Sequence, residues 1–178
     1  MKVIKEPLPG LLVIQPDVYE DDRGFFLETW QQQRYKNIGI EEEFVQDNWS
    51  RSTKGVLRGL HFQKKYPQGK LVSVRQGKVF DVAVDIRPES ETFGKWYGNE
   101  LSDQNHLQMY IPPGFAHGFC VLSKVADFNY KCTEFYHSND EGGIVWNDSN
   151  LDIKWPIENP IVSNKDKQLG TFKAYQCY

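Results

Sequence analysis

An excess of charge of one sign is what this 178-residue sequence most clearly lacks: 21 Lys and Arg stand against 24 Asp and Glu, for a formal net charge of −3. That balance excludes a general polyanion-binding surface, so no nucleic-acid or membrane partner is expected, and an anionic ligand must be met by a local cluster. Long hydrophobic runs are missing too. No segment reaches the ~18 apolar residues of a membrane span, and the start, Met1 to Glu6, has no signal-peptide stretch. A soluble cytoplasmic protein is the expectation. Cysteine is scarce: Cys120, Cys132 and Cys177 are odd in number and share no C-x-x-C spacing. This argues against a disulfide framework and for incidental buried thiols in a reducing compartment. No glycine-rich P-loop or dinucleotide fingerprint occurs. Helical pattern is nearly absent as well, and only the polar stretch Gln31 to Lys36 suits a short helix.

What is abundant is aromatic and alternating. Aromatics make up 14% of the chain, and the length suits one domain over residues 1–178 that buries roughly 70% of its unfolded surface. Between Lys78 and Arg87 the alternation is strict. Phe80, Val82, Val84 and Ile86 share one face, and Asp81, Ala83 and Asp85 the other, so one side is core and the other meets solvent or a polar cavity. Strands are predicted early in residues 1–20, in Phe25–Trp30 and Phe44–Ser50, and over 55–63, 95–101, 107–111, 117–122 and 125–135. Turn signals such as Pro112-Pro113-Gly114 and Ser138 to Gly143 recur between them. Many short strands with almost no helix indicate an all-β sandwich or barrel. From about residue 147 the alternation is lost, and an irregular C-terminal segment packed on the barrel is expected.

The chemistry concentrates between Gly55 and Lys70, where Arg58, His61 and Lys70 sit on an apolar background. Tyr66-Pro67-Gln68-Gly69 reads as a turn, so a hairpin is expected with His61 roughly opposite Val72 and diagonal to Lys70 on one face. A base beside a fixed cation is what removal of a proton next to a carbonyl requires. Arg58 lies three residues from His61 and falls on the other face of a regular strand, unless a bulge at Gly59 turns it inward. Arg23, Glu28 and Gln46-Asp47-Asn48 place polar groups in aromatic-rich strands and together fit a polar cavity. Tyr130 and Tyr136, six residues apart, share a face if the strand runs through both. Ser163 to Lys167 reads as an ordinary charged loop.

His117 follows Pro112-Pro113-Gly114-Phe115-Ala116, an arrangement that resembles the second motif of the cupin superfamily, whose fold is a jelly roll. Metal-binding cupins also use a His-x-His pair. Here His61 is followed by Phe62 and Gln63, so a divalent ion lacks its usual ligands and no metal site is expected. The ordered set Asp22-Arg23-Gly24-Phe25-Phe26 with Glu28, Gln46-Asp47-Asn48, Arg58-Gly59-Leu60-His61, Gly69-Lys70 and Pro113 to Phe119 spans most of the chain. With Tyr130-Lys131, Tyr136, Trp146-Asn147-Asp148 and Ser163-x-Lys165-Asp166, it resembles the dTDP-4-dehydrorhamnose 3,5-epimerase family, nucleotide-sugar epimerases with a cupin-like jelly roll. Phe62, where many members carry tyrosine, and His137-Ser138 are minor departures.

The resemblance implies roles. His61 is the general base and Asp166 its partner, Tyr130 the proton donor from the other side of the sugar, and Lys70 the cation that holds the C4 oxygen as it becomes an enolate. Arg23, Arg58, Lys165 and His117 fall to the diphosphate and sugar. Glu28, Gln46, Asp47 and Asn48 fall to the thymidine end, with Phe26 or Tyr136 stacking on the base and Glu141 nearby. The implied substrate is dTDP-4-dehydro-6-deoxy-glucose, whose ketone already acidifies C3 and C5, so no NAD, flavin or metal cofactor is called for. Members of the family are homodimers that exchange N-terminal strands. The rivals are a relative that inverts one carbon only, a metal-dependent cupin enzyme, and a non-catalytic sugar-nucleotide binding module.

Overall fold

The computed structural model describes residues 1–175; residues 176–178, Cys177 among them, lie outside the described residues. Fourteen strands dominate: β1 (Lys2–Leu8), β2 (Leu11–Gln15), β3 (Val18–Asp21), β4 (Gly24–Leu27), β5 (Gln46–Thr53), β6 (Val56–Gln63), β7 (Lys70–Gln76), β8 (Lys78–Asp85), β9 (Trp96–Ser102), β10 (Gln108–Ile111), β11 (Phe115–Val121), β12 (Val125–Cys132), β13 (Glu141–Gly143) and β14 (Ile161–Val162). Among the described residues helix is confined to α1 (Gln32–Lys36), a 3₁₀ turn at Asp166–Gln168 and α2 (Phe172–Tyr175). Among the described residues no helix is long and apolar enough to cross a membrane. The architecture is the expected all-β jelly roll. One sheet runs β1-β2-β10-β7-β12-β5 and the other β13-β6-β11-β8-β9, with β14 also pairing β6; β3 and β4 form a separate hairpin.

Three apolar layers follow from the alternation. Between the sheets lie Val72, Met109, Phe115, Phe119 and Phe128, with the Phe119 and Phe128 rings stacked at 4.1 Å, a geometry worth about 0.5–1.5 kcal/mol beyond its burial. Outside the second sheet, Leu60, Phe62, Val82, Val84 and Ile86 are covered by Leu151, Trp155 and Phe172 of the C-terminal segment. That segment therefore lies against the sandwich, and β13 and β14 add short strands where the sequence predicts turn and irregular chain. Outside the first sheet, Trp30, Tyr35, Ile40 and Phe44 cover Leu12, Leu71 and Tyr110. The two faces of β8 are thus both buried. The apolar face lies under the C-terminal segment, and the face carrying Asp81 and Ala83 turns inward. Cys120 and Cys132 are free and buried, as expected.

The predicted hairpin between β6 and β7 does not form. β6 pairs β11, β13 and β14, whereas β7 pairs β10 and β12 in the opposite sheet. Residues 64–69 instead cross from one sheet to the other, because their polar groups are claimed by a different segment. The Asp140 carboxylate accepts the Lys65 and Tyr66 amides, and the Gly69 amide donates to Thr133 Oγ1 at 2.8 Å. The turn chemistry was legible; the partner of the strand after it was not. The bulge at Gly59 is present. Pairing with β11 skips a residue between His61 and Arg58, and Gly59 has φ +119°.

At the far end of β8, the fully buried Asp85 accepts from Arg87, Ser90 and Thr92, with Arg87 Nη2 at 2.6 Å. Burial alone raises this carboxyl; Arg87 and the two hydroxyls outweigh it and hold the pKa at about 2. A folded pKa below the unfolded one stabilises fully above the unfolded pKa near 3.8 and loses that contribution as the pH falls toward 2. Asp85→Asn should therefore cost about 1–2 kcal/mol near neutral pH, allowing for solvent screening of Arg87. In urea unfolding the gap to wild type should narrow below about pH 4 and close near pH 2; a gap independent of pH removes the ion pair as its cause.

Candidate active site

The bulge fixes the site. Leu57 points outward into the cluster with Val162, Arg58 points inward to Ser52 Oγ at 3.1 Å, and the extra residue lets His61 face inward as well. Gly118 on β11 packs against this bulge. A Cβ at Gly59 would lie 2.6 Å from the Gly118 Cα and 2.7 Å from the His117 carbonyl, so the close approach of the two strands requires glycine here.

A cavity of about 300 Å³ opens at this end of the sandwich, walled by Gln46, Asn48, His61, Lys70, Tyr130 and Glu141 among others. A larger apolar groove of about 930 Å³ lies behind it between Phe62, Phe115 and Tyr175. It holds none of the expected catalytic side chains, so the convergence of polar groups, not volume, assigns the site.

His61 Nε2 is 2.9 Å from Asp166 Oδ1, and Asp166 Oδ2 accepts the Gly59 amide at 3.2 Å. The 3₁₀ turn is anchored by the Asp166 amide donating to Ser163 Oγ at 3.0 Å. Burial raises the Asp166 carboxyl, but His61, the Gly59 amide and Ser163 together hold it below its ordinary value. An ionised Asp166 keeps the His61 proton on Nε2 and leaves the lone pair on Nδ1. The segment read as an ordinary charged loop thus carries a buried carboxylate.

Across the cavity, Lys70 on β7 is only 9% exposed and Tyr130 on β12 is half-buried. Among the described residues neither head group has a hydrogen-bond or ion-pair partner. Burial lowers the Lys70 pKa, opposed by Cys132, Asp81 and Glu141. Burial raises that of Tyr130, opposed by the nearby Arg58 guanidinium. A buried amine and a buried phenol that lack protein partners among the described residues are groups able to take a polar ligand.

His117 lies deeper than expected. It is buried beside His61, its register partner, with its ring stacked on Phe128 and Nε2 at 2.9 Å from Asp81 Oδ2. Burial pushes its pKa down against the pull of Asp81. It is not among the residues that wall the cavity, and its expected role at diphosphate or sugar stays a proposal. Asp81 was missed as a site residue, yet its place on the polar face of the most regular strand was the available signal.

The rim is a chain of side chains. Tyr136 Oη donates to Glu141 Oε2 at 2.9 Å, and Lys165 pairs with the same oxygen. Lys165 and Tyr136 outweigh burial to keep the Glu141 pKa below its usual value. β12 ends at Cys132, so Tyr136 does not share a strand face with Tyr130. It reaches the cavity on a loop, and Glu141 opens β13 where a turn was expected. Gln46 and Asn48 face inward opposite Cys132 and Tyr130. Asp47 points outward to Lys131 at 2.7 Å, because alternate strand residues face opposite sides. Arg23, Phe26 and Glu28 are not brought to the cavity. Arg23 pairs with Asp21, Phe26 is 68% exposed on the β3–β4 hairpin, and Glu28 meets Arg34.

Comparison with known proteins adds the following. Residues 5–174 match the family described as dTDP-4-dehydrorhamnose 3,5-epimerase. The chain is 55% identical over 168 residues to the dTDP-4-dehydrorhamnose 3,5-epimerase of Shigella flexneri, covering 93% of each chain. It superposes with a TM-score of 0.93 on a crystal structure of the enzyme of that name from Elizabethkingia anophelis, at 52% identity over 98% of this chain and 97% of that one. It also matches dTDP-6-deoxy-D-glucose-3,5-epimerase from Legionella pneumophila in complex with dTDP-4-keto-L-rhamnose, at a TM-score of 0.94 and 52% identity over 97% and 93% of the two chains.

Because the Gly59 Cβ position is filled by backbone, Gly59→Ala should cost roughly 2–4 kcal/mol in urea unfolding. Activity should fall beyond that loss, since the Gly59 amide also holds Asp166. A variant of wild-type stability and activity contradicts this account of the bulge.

Proposed function

The chain belongs to the dTDP-4-dehydrorhamnose 3,5-epimerase family, and from that premise we propose how its cavity inverts C3 and C5 of dTDP-4-dehydro-6-deoxy-glucose to give dTDP-4-dehydro-L-rhamnose. The protein is a carbohydrate epimerase of the isomerase class. The observation that carries the mechanism is the His61–Asp166 pair facing two side chains without protein partners, the Lys70 ammonium and the Tyr130 hydroxyl.

With Nε2–H given to Asp166, His61 takes the proton from C3 or C5 on Nδ1. The electron pair left on carbon moves into the C4 carbonyl, and the enolate oxygen is met by Lys70. A preorganised cation at a developing oxyanion in a dry site is worth roughly 3–4 kcal/mol of barrier. Tyr130 donates its proton to the opposite face of the same carbon, which completes the inversion, and the tyrosinate is helped by Arg58 nearby. Positioned acid–base groups contribute typically about 10²–10⁴-fold each. Arg58 and Lys165 line the approach to the diphosphate; Gln46, Asn48 and Tyr136 take the thymidine end.

The exposed hairpin points to a homodimer. Tyr19, Phe25 and Phe26 are 63%, 59% and 68% exposed, an apolar patch with Arg23 beside it that a monomer has no reason to display. In this reading Arg23, Phe26 and Glu28 complete the rim of the neighbouring copy's cavity.

Nuclear magnetic resonance of the substrate in heavy water tests the chemistry. Deuterium at both C3 and C5 with inverted products is expected. Exchange at one carbon assigns a single-position enzyme, and no exchange leaves a binding module or a metal-dependent cupin. His61→Asn should slow exchange by roughly 10³-fold or more. Tyr130→Phe should retain exchange better than net inversion, and equal loss of both argues against a donor role. Sharing of the site is read by mixing two inactive variants, His61→Asn and Phe26→Ala. Reassorted dimers should recover activity in roughly a quarter of their sites; no recovery confines each site to one chain.

A further inference from the structure

Tyr136 combines an exposed ring with a captive backbone. Its side chain is 53% exposed and it lies outside any strand or helix, yet the amides of Phe135, Tyr136 and His137 and the Phe135 carbonyl are each held by a side chain. Gln63, the last residue of β6 and 6% exposed, accepts the His137 amide on Oε1 at 2.7 Å. Its Nε2 donates to the Phe135 carbonyl at 3.1 Å and to the Tyr66 carbonyl at 2.7 Å. Both amide hydrogens and the oxygen of Gln63 are therefore engaged, on the residues either side of Tyr136 and on the crossover loop. From the opposite sheet, Gln46 Oε1 accepts the Tyr136 amide at 2.9 Å. The phenol is fixed in turn by Glu141.

Surface loops normally leave such groups to water, and an exposed aromatic gains nothing for the fold from being fixed. Fixing it does help a ligand, because the ordering is complete before binding. We propose that Gln63 is a positioning residue that holds Tyr136 as a preset platform for the flat base of the nucleotide. This deepens, and rests on, the assignment of Tyr136 to the thymidine end. It also accounts for an amide standing two residues after His61: the strand position spends its polar atoms on two loops that meet at the mouth of the cavity.

Gln63→Met keeps the volume of the side chain and removes all three bonds. In the full-length protein it should raise KM for the nucleotide sugar and weaken binding of dTDP by roughly tenfold, while kcat, read as deuterium exchange at saturation, stays within about threefold. Tyr136→Ala should weaken dTDP comparably, and adding Gln63→Met to it should weaken dTDP no further. If Tyr136→Ala binds dTDP normally, the platform reading itself fails and this inference with it. If Tyr136→Ala weakens dTDP and Gln63→Met does not, or if the two losses add in full, Gln63 is a fold residue only. Should Gln63→Met not fold, hydrogen exchange of the unliganded wild type decides. The Tyr136 and His137 amides should be protected at least about a hundredfold, and exchange at the free-peptide rate overturns the proposal.

Discussion

The hydrogen bond from His61 to Asp166 joins residues 105 apart in sequence, and much of the architecture serves to make it. Asp166 is in place because the C-terminal segment lies across the outer face of the second sheet, where Leu151, Trp155 and Phe172 bury Val82, Val84 and Ile86. His61 faces inward because Gly59 adds a residue to β6, and the same glycine lends its amide to the second oxygen of Asp166. One bulge therefore sets both the direction of the base and the hold on its partner. Alternation on β8 and the path of the last thirty or so residues are parts of one arrangement.

Electrostatic balance explains what lies beneath. A buried Lys70 loses hydration, and the cost is offset only by negative charge nearby. Asp81, fully buried and on the inward face of β8, is among the groups that favour the charged lysine. His117 gives Asp81 a hydrogen bond, but burial disfavours a proton on its ring, and Lys70 and His61 add to that. A neutral His117 leaves the carboxylate charge uncancelled and available to Lys70. Whatever His117 does for a ligand, its bond to Asp81 also orients this counter-charge.

What could be read from the chain depended on the range of the interaction. Local signals were sound: the strict alternation of β8, the short helix near Gln31–Lys36, the bulge at Gly59, and the polar middle of β5, whose Gln46 and Asn48 do face the cavity. Pairings between distant strands were not legible. Turn residues at 66–69 look the same whether the chain folds back on itself or crosses to the other sheet, and the choice is made by Asp140 and Thr133, more than sixty residues later. Asp47 was grouped with its neighbours although period-two geometry sends it outward to Lys131. Asp166 had no local mark at all; it was identifiable only through a family resemblance, because burial in a charged loop is a tertiary event.

That crossover is also what makes inversion geometrically natural. A hairpin between β6 and β7 would have placed His61 and Lys70 side by side on one sheet, with every head group on the same side of a bound sugar. Instead His61 and Asp166 belong to the second sheet and its covering segment, while Lys70 and Tyr130 project from β7 and β12, neighbours in the first. In the proposed mechanism a sugar ring held between the sheets would meet the base from one sheet and the acid and cation from the other. Racemising a carbon next to a carbonyl needs only a base; inverting it with direction needs a donor on the far side, at hydrogen-bond reach and held apart from the base. Two facing sheets supply that separation without a moving part, which is why the strand partner that the turn sequence could not reveal is the feature on which the proposed stereochemistry rests.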